Sequence, residues 1–347
     1  VLPAIDAAMA VCQQVTRQLH GPDRHPDAAK VALDKADESP VTVADFAGQA
    51  LIVRALQRYF PGEAVVGEES AELLREPAAA GLRAAIVELV RPHWPGVDEA
   101  ALLAAIDGGT ARDPGTDRWT LDPIDGTRGF VRGGQYAVCL AWLVDDRPLL
   151  GVLGCPALSP DPSAPLAVQD PRGVVMWAVE GGPAMVLPGG ADPRASEAAS
   201  GARLAASAPL ERGPEQLAPI VLVQSVDRGH TDQDAAERAF AALGRPYTVL
   251  HADSQAKYGL VARGQAHALV RVPTSERAEW IWDHAPGDLL ARAAGCVVSD
   301  LDGRALDFGH GASLVANRGL VCAHPAVHAP LLRALQRELG REAAPPA

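Results

Sequence analysis

The chain has 347 residues, 48% of them hydrophobic, and a formal net charge of -12 from 31 Lys+Arg against 43 Asp+Glu. That length exceeds the usual size of one domain and supplies ample material for a core. The acidic balance argues against a general nucleic-acid surface, but a small anionic ligand can still be held by local cations or metal ions. Five scattered cysteines (Cys12, Cys139, Cys155, Cys296, Cys322) form no CxxC pair. This predicts buried thiols in a reducing compartment, not a disulfide framework. The N-terminus has no basic region followed by an apolar stretch, and no apolar run is long enough to span a bilayer. A cytoplasmic protein without a membrane segment is therefore expected.

Ile5, Ala8, Met9, Cys12, Val15 and Leu19 recur at helical spacing and predict a helix over 4–20. A short strand, a turn near Pro40 and a helix opening at Thr42–Asp45 follow; that helix runs to Tyr59 and stops at Pro61-Gly62. Val65-Val66-Gly67 reads as a strand leading into Glu68-Glu69-Ser70, and helical patterns cover 78–91 and 98–106. Residues 119–125 and 136–155 carry the strongest β signals of the first half, with Asp145–Pro148 as a hairpin turn. Pro, Ser, Asp and Gly then concentrate at 156–173. A boundary near 156–165 is expected, between an N-terminal unit of residues 1–160 and a C-terminal unit of residues 161–347. The second half alternates strands at 220–225, 246–250, 268–272 and 296–300 with helices at 232–243, 255–264 and 283–294.

The segment Trp119-Thr-Leu-Asp-Pro-Ile-Asp-Gly-Thr127 reads as a strand ending in a tight acidic corner. Asp122 and Asp125 stand three residues apart, separated by a turn-forming proline and followed by a glycine and a hydroxyl. Three further segments bring carboxylates to element junctions: Asp45, Glu68-Glu69, and Asp283 in Trp280-Ile-Trp-Asp-His-Ala-Pro-Gly287. Any one carboxylate could be a cap or a solvated turn, and Asp283 would suit the N-cap of the helix after it. Four that converge repel one another unless cations neutralise them. An all-oxygen set fits Mg2+, and the absence of paired His or Cys spacing argues against zinc. Thr127 could hold an attacking water or cap the helix that starts near Gly126. His284 could orient Asp283 or touch substrate, whereas His310, His324 and His328 read as structural or surface residues. Lys257 is either a solvated helix-end lysine or a point charge for phosphate. Glycines 126, 129, 133 and 134 suggest close backbone approach but do not match a P-loop.

Together, Gly67-Glu-Glu-Ser70, Asp122-Pro-Ile-Asp-Gly-Thr127 and Trp282-Asp-His-Ala-Pro-Gly287 resemble the Mg2+-dependent, lithium-sensitive phosphomonoesterases of the inositol monophosphatase superfamily. Asp37-Glu-Ser-Pro-Val-Thr-Val-Ala-Asp45, the stretch 126–139 and Asp253-Ser-Gln-Ala-Lys-Tyr258 look like the long, eukaryotic type of 3'(2'),5'-bisphosphate nucleotidases. The resemblance covers roughly residues 5–330 and implies a layered α/β/α/β/α sandwich with the active site between two domains. By the same resemblance, Glu68, Asp122, Asp125, the Ile124 carbonyl and Asp283 would ligate two or three Mg2+ ions. Asp45, Glu68 and Thr127 would position or activate water. Asp125, Gly126, Thr127, His230, Ser254, Lys257, Arg271 and Asp283 would contact substrate.

The implied reaction removes the 3'-phosphate of 3'-phosphoadenosine 5'-phosphate, giving AMP and phosphate, with the 5'-phosphosulfate relative as a second substrate. The alternative is an inositol monophosphate or inositol polyphosphate 1-phosphatase, alone or as a second activity. A binding protein that kept an old fold is a third reading, opposed by the intact acidic set. The expected partner is a small phosphorylated nucleotide, with no nucleic-acid polymer and no membrane; the oligomeric state stays open, with a monomer as one option. Two departures stand out: Arg128 replaces a lysine common in the family, and in 226–233 only His230 fits the family pattern.

Overall fold

The computed structural model describes residues 1–20, 32–34, 40–111, 115–168, 170, 172–189, 197–210, 217–229 and 231–340. Helix α1 (Leu2–His20) buries Ile5, Ala8, Met9, Cys12 and Val15 along one stripe, the spacing that predicted it. Strands β1 (Ala32–Asp34) and β2 (Pro40–Thr42) pair antiparallel and feed α2 (Val43–Tyr59). Thr42 caps α2: its hydroxyl accepts from Ala44 N at 3.1 Å, while Asp45 accepts from Thr42 N at 2.8 Å. This reciprocal capping box is worth about 1 kcal/mol and fixes where α2 begins.

Strand β3 (Ala64–Gly67) is followed by α3 (Glu72–Arg75), α4 (Ala80–Val90) and α5 (Glu99–Asp107), then β4 (Arg118–Asp125) and the short α6 (Thr127–Arg132). Strands β5 (Ala137–Val144) and β6 (Arg147–Cys155) form the expected hairpin. Its turn is Asp145-Asp146, both at positive φ (48° and 60°), which matches the twist of the flanking strands. Strands β7 (Val174–Val179) and β8 (Met185–Pro188), helix α7 (Glu197–Ala205) and β9 (Ala208–Pro209) come next. Then follow β10 (Ile220–Gln224), α8 (Gln233–Ala241), β11 (Tyr247–His251), α9 (Ala256–Ala262), β12 (Ala268–Arg271), α10 (Ala285–Ala293), β13 (Val297–Ser299), β14 (Leu320–Ala323) and α11 (Pro325–Glu338).

Besides the β1–β2 pair, the described strands form a seven-stranded sheet, ordered β3-β4-β5-β6-β7-β8-β9, and a five-stranded sheet, ordered β11-β10-β12-β14-β13. The composition shift at 156–165 falls inside the first sheet, because β7 pairs with β6 from Leu150–Val179 to Cys155–Val174. The first sheet ends at Pro209 and the second begins at Ile220. We therefore propose that any division into two units lies between those residues.

Period-two alternation builds the layers. On β5, Val138 and Leu140 face the core under α1 and α2, whereas Ala137 and Cys139 face α9 and α10. On the second sheet, Val223, Leu269 and Cys322 share that middle core, while Leu222, Val270 and Val321 face α8 and α11. The result is α/β/α/β/α: α1 and α2, the seven-stranded sheet, α9 and α10, the five-stranded sheet, then α8 and α11. Central strands such as β5 and β14 are buried on both faces and read as nearly continuous apolar runs, whereas β9 and β11 at the sheet edges contain no buried residue. A β-carbon at Gly151 would stand 2.8 Å from the Pro286 carbonyl oxygen, so glycine on β6 is what lets α10 lie close to the sheet. All five cysteines are buried, and none is paired in a disulfide. Among the described residues no helix is long and apolar enough to cross a membrane.

Candidate metal-dependent active site

The acidic corner lies where β4 leaves its sheet. The β4–β5 register shifts between Asp122 and Asp125, so the pleat breaks and both carboxylates turn toward one place. Asp122 accepts from Ile124 N at 2.9 Å, folding the Pro123 turn back on itself. Gly126 then takes a left-handed conformation (φ 84°), and a β-carbon there would stand 2.8 Å from Ser254 Cβ. Ser254 is itself left-handed at φ 68°, a strain of about 1–2 kcal/mol for a residue with a side chain. The neighbouring amide of Gln255 donates to the Asp125 carboxylate, and Ser254 Oγ accepts from Ala256 N at 3.1 Å. These bonds hold the strained residue against the corner.

Asp283 reaches the same place from a distant segment of the chain, which packs against β4 and β5. It ends a 3-10 turn, Ile281–Asp283, and the residue before α10 is His284, which makes no side-chain cap bond. Asp283 is thus not the helix cap that its position suggested. One carboxylate oxygen each from Asp122, Asp125 and Asp283 lie within 4.8 Å of one another. Burial raises all three carboxyls. Neighbouring carboxylates add to this, chiefly Glu68 at Asp122 and Asp125 at Asp283, which is pushed up to about 7. At Asp125, Lys257 and the Gln255 amide work against burial. Three oxygen donors that disfavour their own charge are a fitting host for a hard divalent cation.

Glu68, Asp125, Gly126, Thr127 and Asp283 line a cavity of about 250 Å3, with Ser254, Lys257 and Arg271 on its other walls. Thr127 Oγ1 donates toward the Ile124 carbonyl at 3.1 Å and lies 3.4 Å from Asp45 Oδ1, bringing α2 into the site. Glu69 points elsewhere: it is buried, and its amide donates to Gln49 Oε1 at 3.0 Å, which anchors the strand end beside Glu68. Lys257 donates to Ser225 Oγ at 2.8 Å, and burial lowers it to about 8 although Asp125 opposes the fall. Arg271 pairs with Glu279 at 2.6 Å. Burial pushes Glu279 up, but Arg271 and His284 outweigh it and hold that carboxyl at about 2. His284 Nδ1 and the Tyr258 hydroxyl are 2.8 Å apart, so His284 acts within this network.

His230 lies outside the described residues. His324 accepts from Ala326 N at 3.1 Å, and His328 meets Ser299 Oγ at 2.9 Å, both structural as expected. Sequence reasoning missed Glu279, Gln255, Ser225 and the Arg128–Asp227 ion pair (2.8 Å) at the cavity wall. Only Gln255 had a local signal, its place inside the Asp253–Tyr258 motif.

This fold and this acidic cavity define a metal-dependent phosphatase acting on small phosphorylated substrates. A profile described as "Inositol monophosphatase family" matches residues 2–340, and the chain belongs to that family. It is 37% identical over 337 residues to the 3'(2'),5'-bisphosphate nucleotidase of Emericella nidulans, covering 90% of this chain and 92% of that one. It is 32% identical over 352 residues to the 3'(2'),5'-bisphosphate nucleotidase of Oryza sativa, covering 96% and 91%. Among solved structures it is similar to CysQ from Bacteroides thetaiotaomicron, a bacterial member of the family, with TM-score 0.57, 22% identity and coverage of 93% and 96%. That structural likeness concerns the fold.

Proposed function

We propose that the chain hydrolyses the 3'-phosphate of 3'-phosphoadenosine 5'-phosphate to AMP and phosphate, and also accepts the 5'-phosphosulfate relative. The observation that carries this reading is a cavity of both signs, lined by Glu68, Asp125 and Asp283 together with Lys257 and Arg271. A substrate with two anionic groups matches it: the phosphate to be cut lies at the acidic end and the retained one at the cationic end. The names of the curated relatives support the nucleotide over an inositol phosphate.

Glu68, Asp122, Asp125, the Ile124 carbonyl and Asp283 would hold two or three Mg2+ ions. When bound, such ions neutralise the phosphoryl oxygens and acidify the attacking water. The Thr127 hydroxyl, shared between Ile124 and Asp45, orients that water, and Asp45 takes up its proton. Water oxygen bonds to phosphorus as the bond to the ribose oxygen breaks, with no phosphoenzyme. Lys257 binds the retained phosphate as a point charge, and Arg271, held by Glu279, offers a planar fork of donors. Ser254 and Gly126 line the same cavity, and His230 belongs to the adenine side of the same reading. A reducing cytoplasm and inhibition by Li+ complete it.

The test is phosphate release with Mg2+ from the adenosine bisphosphate, the phosphosulfate, inositol 1-phosphate and inositol 1,4-bisphosphate, side by side. The adenosine bisphosphate is expected to have the highest kcat/KM. A strong preference for either inositol substrate would overturn the assignment.

A further inference from the structure

Helix α10 has no local side-chain cap: His284 makes no such bond at the helix start. The first-turn amide of Gly287 is nevertheless satisfied, because Gln255 Oε1 accepts from it at 3.1 Å. The other end of the same side chain donates to the Trp282 carbonyl at 2.7 Å. Gln255 therefore brackets Asp283, bonded to the residue before it and to the fourth residue after it. Its backbone amide meanwhile donates to Asp125. The residue is 2% exposed, so water cannot replace these bonds. One residue thus bonds Asp125 directly and brackets Asp283, two of the three clustered carboxylates.

We propose that Gln255 is a positioning residue for the metal site: it caps α10 from a distance and so frees Asp283 to face Asp122 and Asp125. An acidic residue just before a helix ordinarily folds back onto the first-turn amides. Here an amide side chain from α9's approach does that work, and the carboxylate remains available as an oxygen donor. Gln255 also suits the task chemically, since it needs one donor and one acceptor and adds no charge to a crowded acidic site. Removing the side chain leaves Gly287 N and the Trp282 carbonyl buried without these partners. Asp283 then gains an alternative partner in the vacant first-turn amide and turns away from the cluster.

This inference rests on the metal-dependent reading of the site. Its test is Mn2+ affinity, measured by electron paramagnetic resonance titration of the intact chain, for wild type, Gln255→Met and Asp283→Asn. Gln255→Met is expected to weaken Mn2+ binding about tenfold or more, as loss of residues that orient metal ligands does, in the same direction as Asp283→Asn. At saturating Mg2+ its KM for the adenosine bisphosphate should stay within about twofold, because the change acts on Asp283 and not on the substrate. Wild-type Mn2+ affinity in a folded Gln255→Met would overturn the inference while leaving the metal site standing. No Mn2+ binding by wild type would overturn the metal reading and the inference together. If Gln255→Met melts below the assay temperature, Gln255→Asn carries the test, since it keeps a neutral amide but is one methylene too short to reach both Gly287 N and the Trp282 carbonyl. Weaker Mn2+ binding by Gln255→Asn supports the inference, and unchanged affinity overturns it.

Discussion

The two ends of the cavity are built on opposite plans. At the acidic end Asp122, Asp125 and Asp283 crowd together, and burial raises each carboxyl, reinforced at Asp122 and Asp283 by neighbouring carboxylates. At the cationic end each charge has a partner inside the protein: Lys257 has Ser225, and Arg271 has Glu279. The acidic end holds back charge until a cation arrives, whereas the cationic end is satisfied before any ligand binds. Metal loading should therefore change the first greatly. A phosphate at the second only exchanges one set of partners for another, so it should give selectivity and modest affinity.

Breaking the acidic end should have the largest effect. Asp122→Asn is expected to lower kcat by more than about 100-fold, the upper range for residues that merely support metal ligands, with a circular dichroism spectrum like that of wild type. Near-normal turnover would reject the metal site. A smaller change is expected at the cationic end. Lys257→Ala removes one charge-assisted contact, so KM for the adenosine bisphosphate should rise about tenfold. Adenosine 3'-monophosphate, which lacks the second phosphate, should be barely affected, and equal losses on both would refute the role of Lys257.

The smallest effect sharpens the comparison through pH. Asp283 is raised from 3.8 to about 7, so the metal-free folded chain binds more protons than the unfolded chain between those values. Stability should therefore fall as pH rises through that window. Lys257 is lowered from 10.5 to about 8, so the unfolded chain binds more protons between those values and stability should rise there. Thermal melting across pH 5–10 with a chelator, then with Mg2+, checks both. Mg2+ should flatten the acidic slope and leave the alkaline one, and an unchanged acidic slope would count against ion binding by these carboxylates.

Most of the acidic end was legible because its chemistry is local. Asp122, Asp125, Gly126 and Thr127 lie within one turn, where a proline, a left-handed glycine and a bulge can be anticipated from residue type. The α1 stripe and the β5–β6 hairpin were equally legible, since period and turn chemistry are short-range signals. Strands β7 to β9 were not, because proline- and glycine-rich connections hide short strands that extend the sheet outward from β6, each on the one before it. Nor was α11, which carries Pro330 within it and is held by α8 and β14. Asp283 was expected in the site by resemblance and as a cap by local pattern, and the two expectations conflicted.

By itself the sequence determined that an oxygen-rich corner ends one strand, that several carboxylates sit at element junctions, and that the core could be layered α/β. Those properties follow from backbone sterics, hydrophobic periodicity and the donor chemistry of neighbouring residues. Only the tertiary structure decided that Asp283 belongs to the cluster and not to the helix start, that Glu68 rather than Glu69 faces the cavity, and that Glu279 holds Arg271. Each depends on how separate segments of the chain pack together, or on the choice between two neighbours. The physical reason is that a polar side chain takes the partner its burial allows. At Asp283 that choice was made by Gln255, from another segment of the chain.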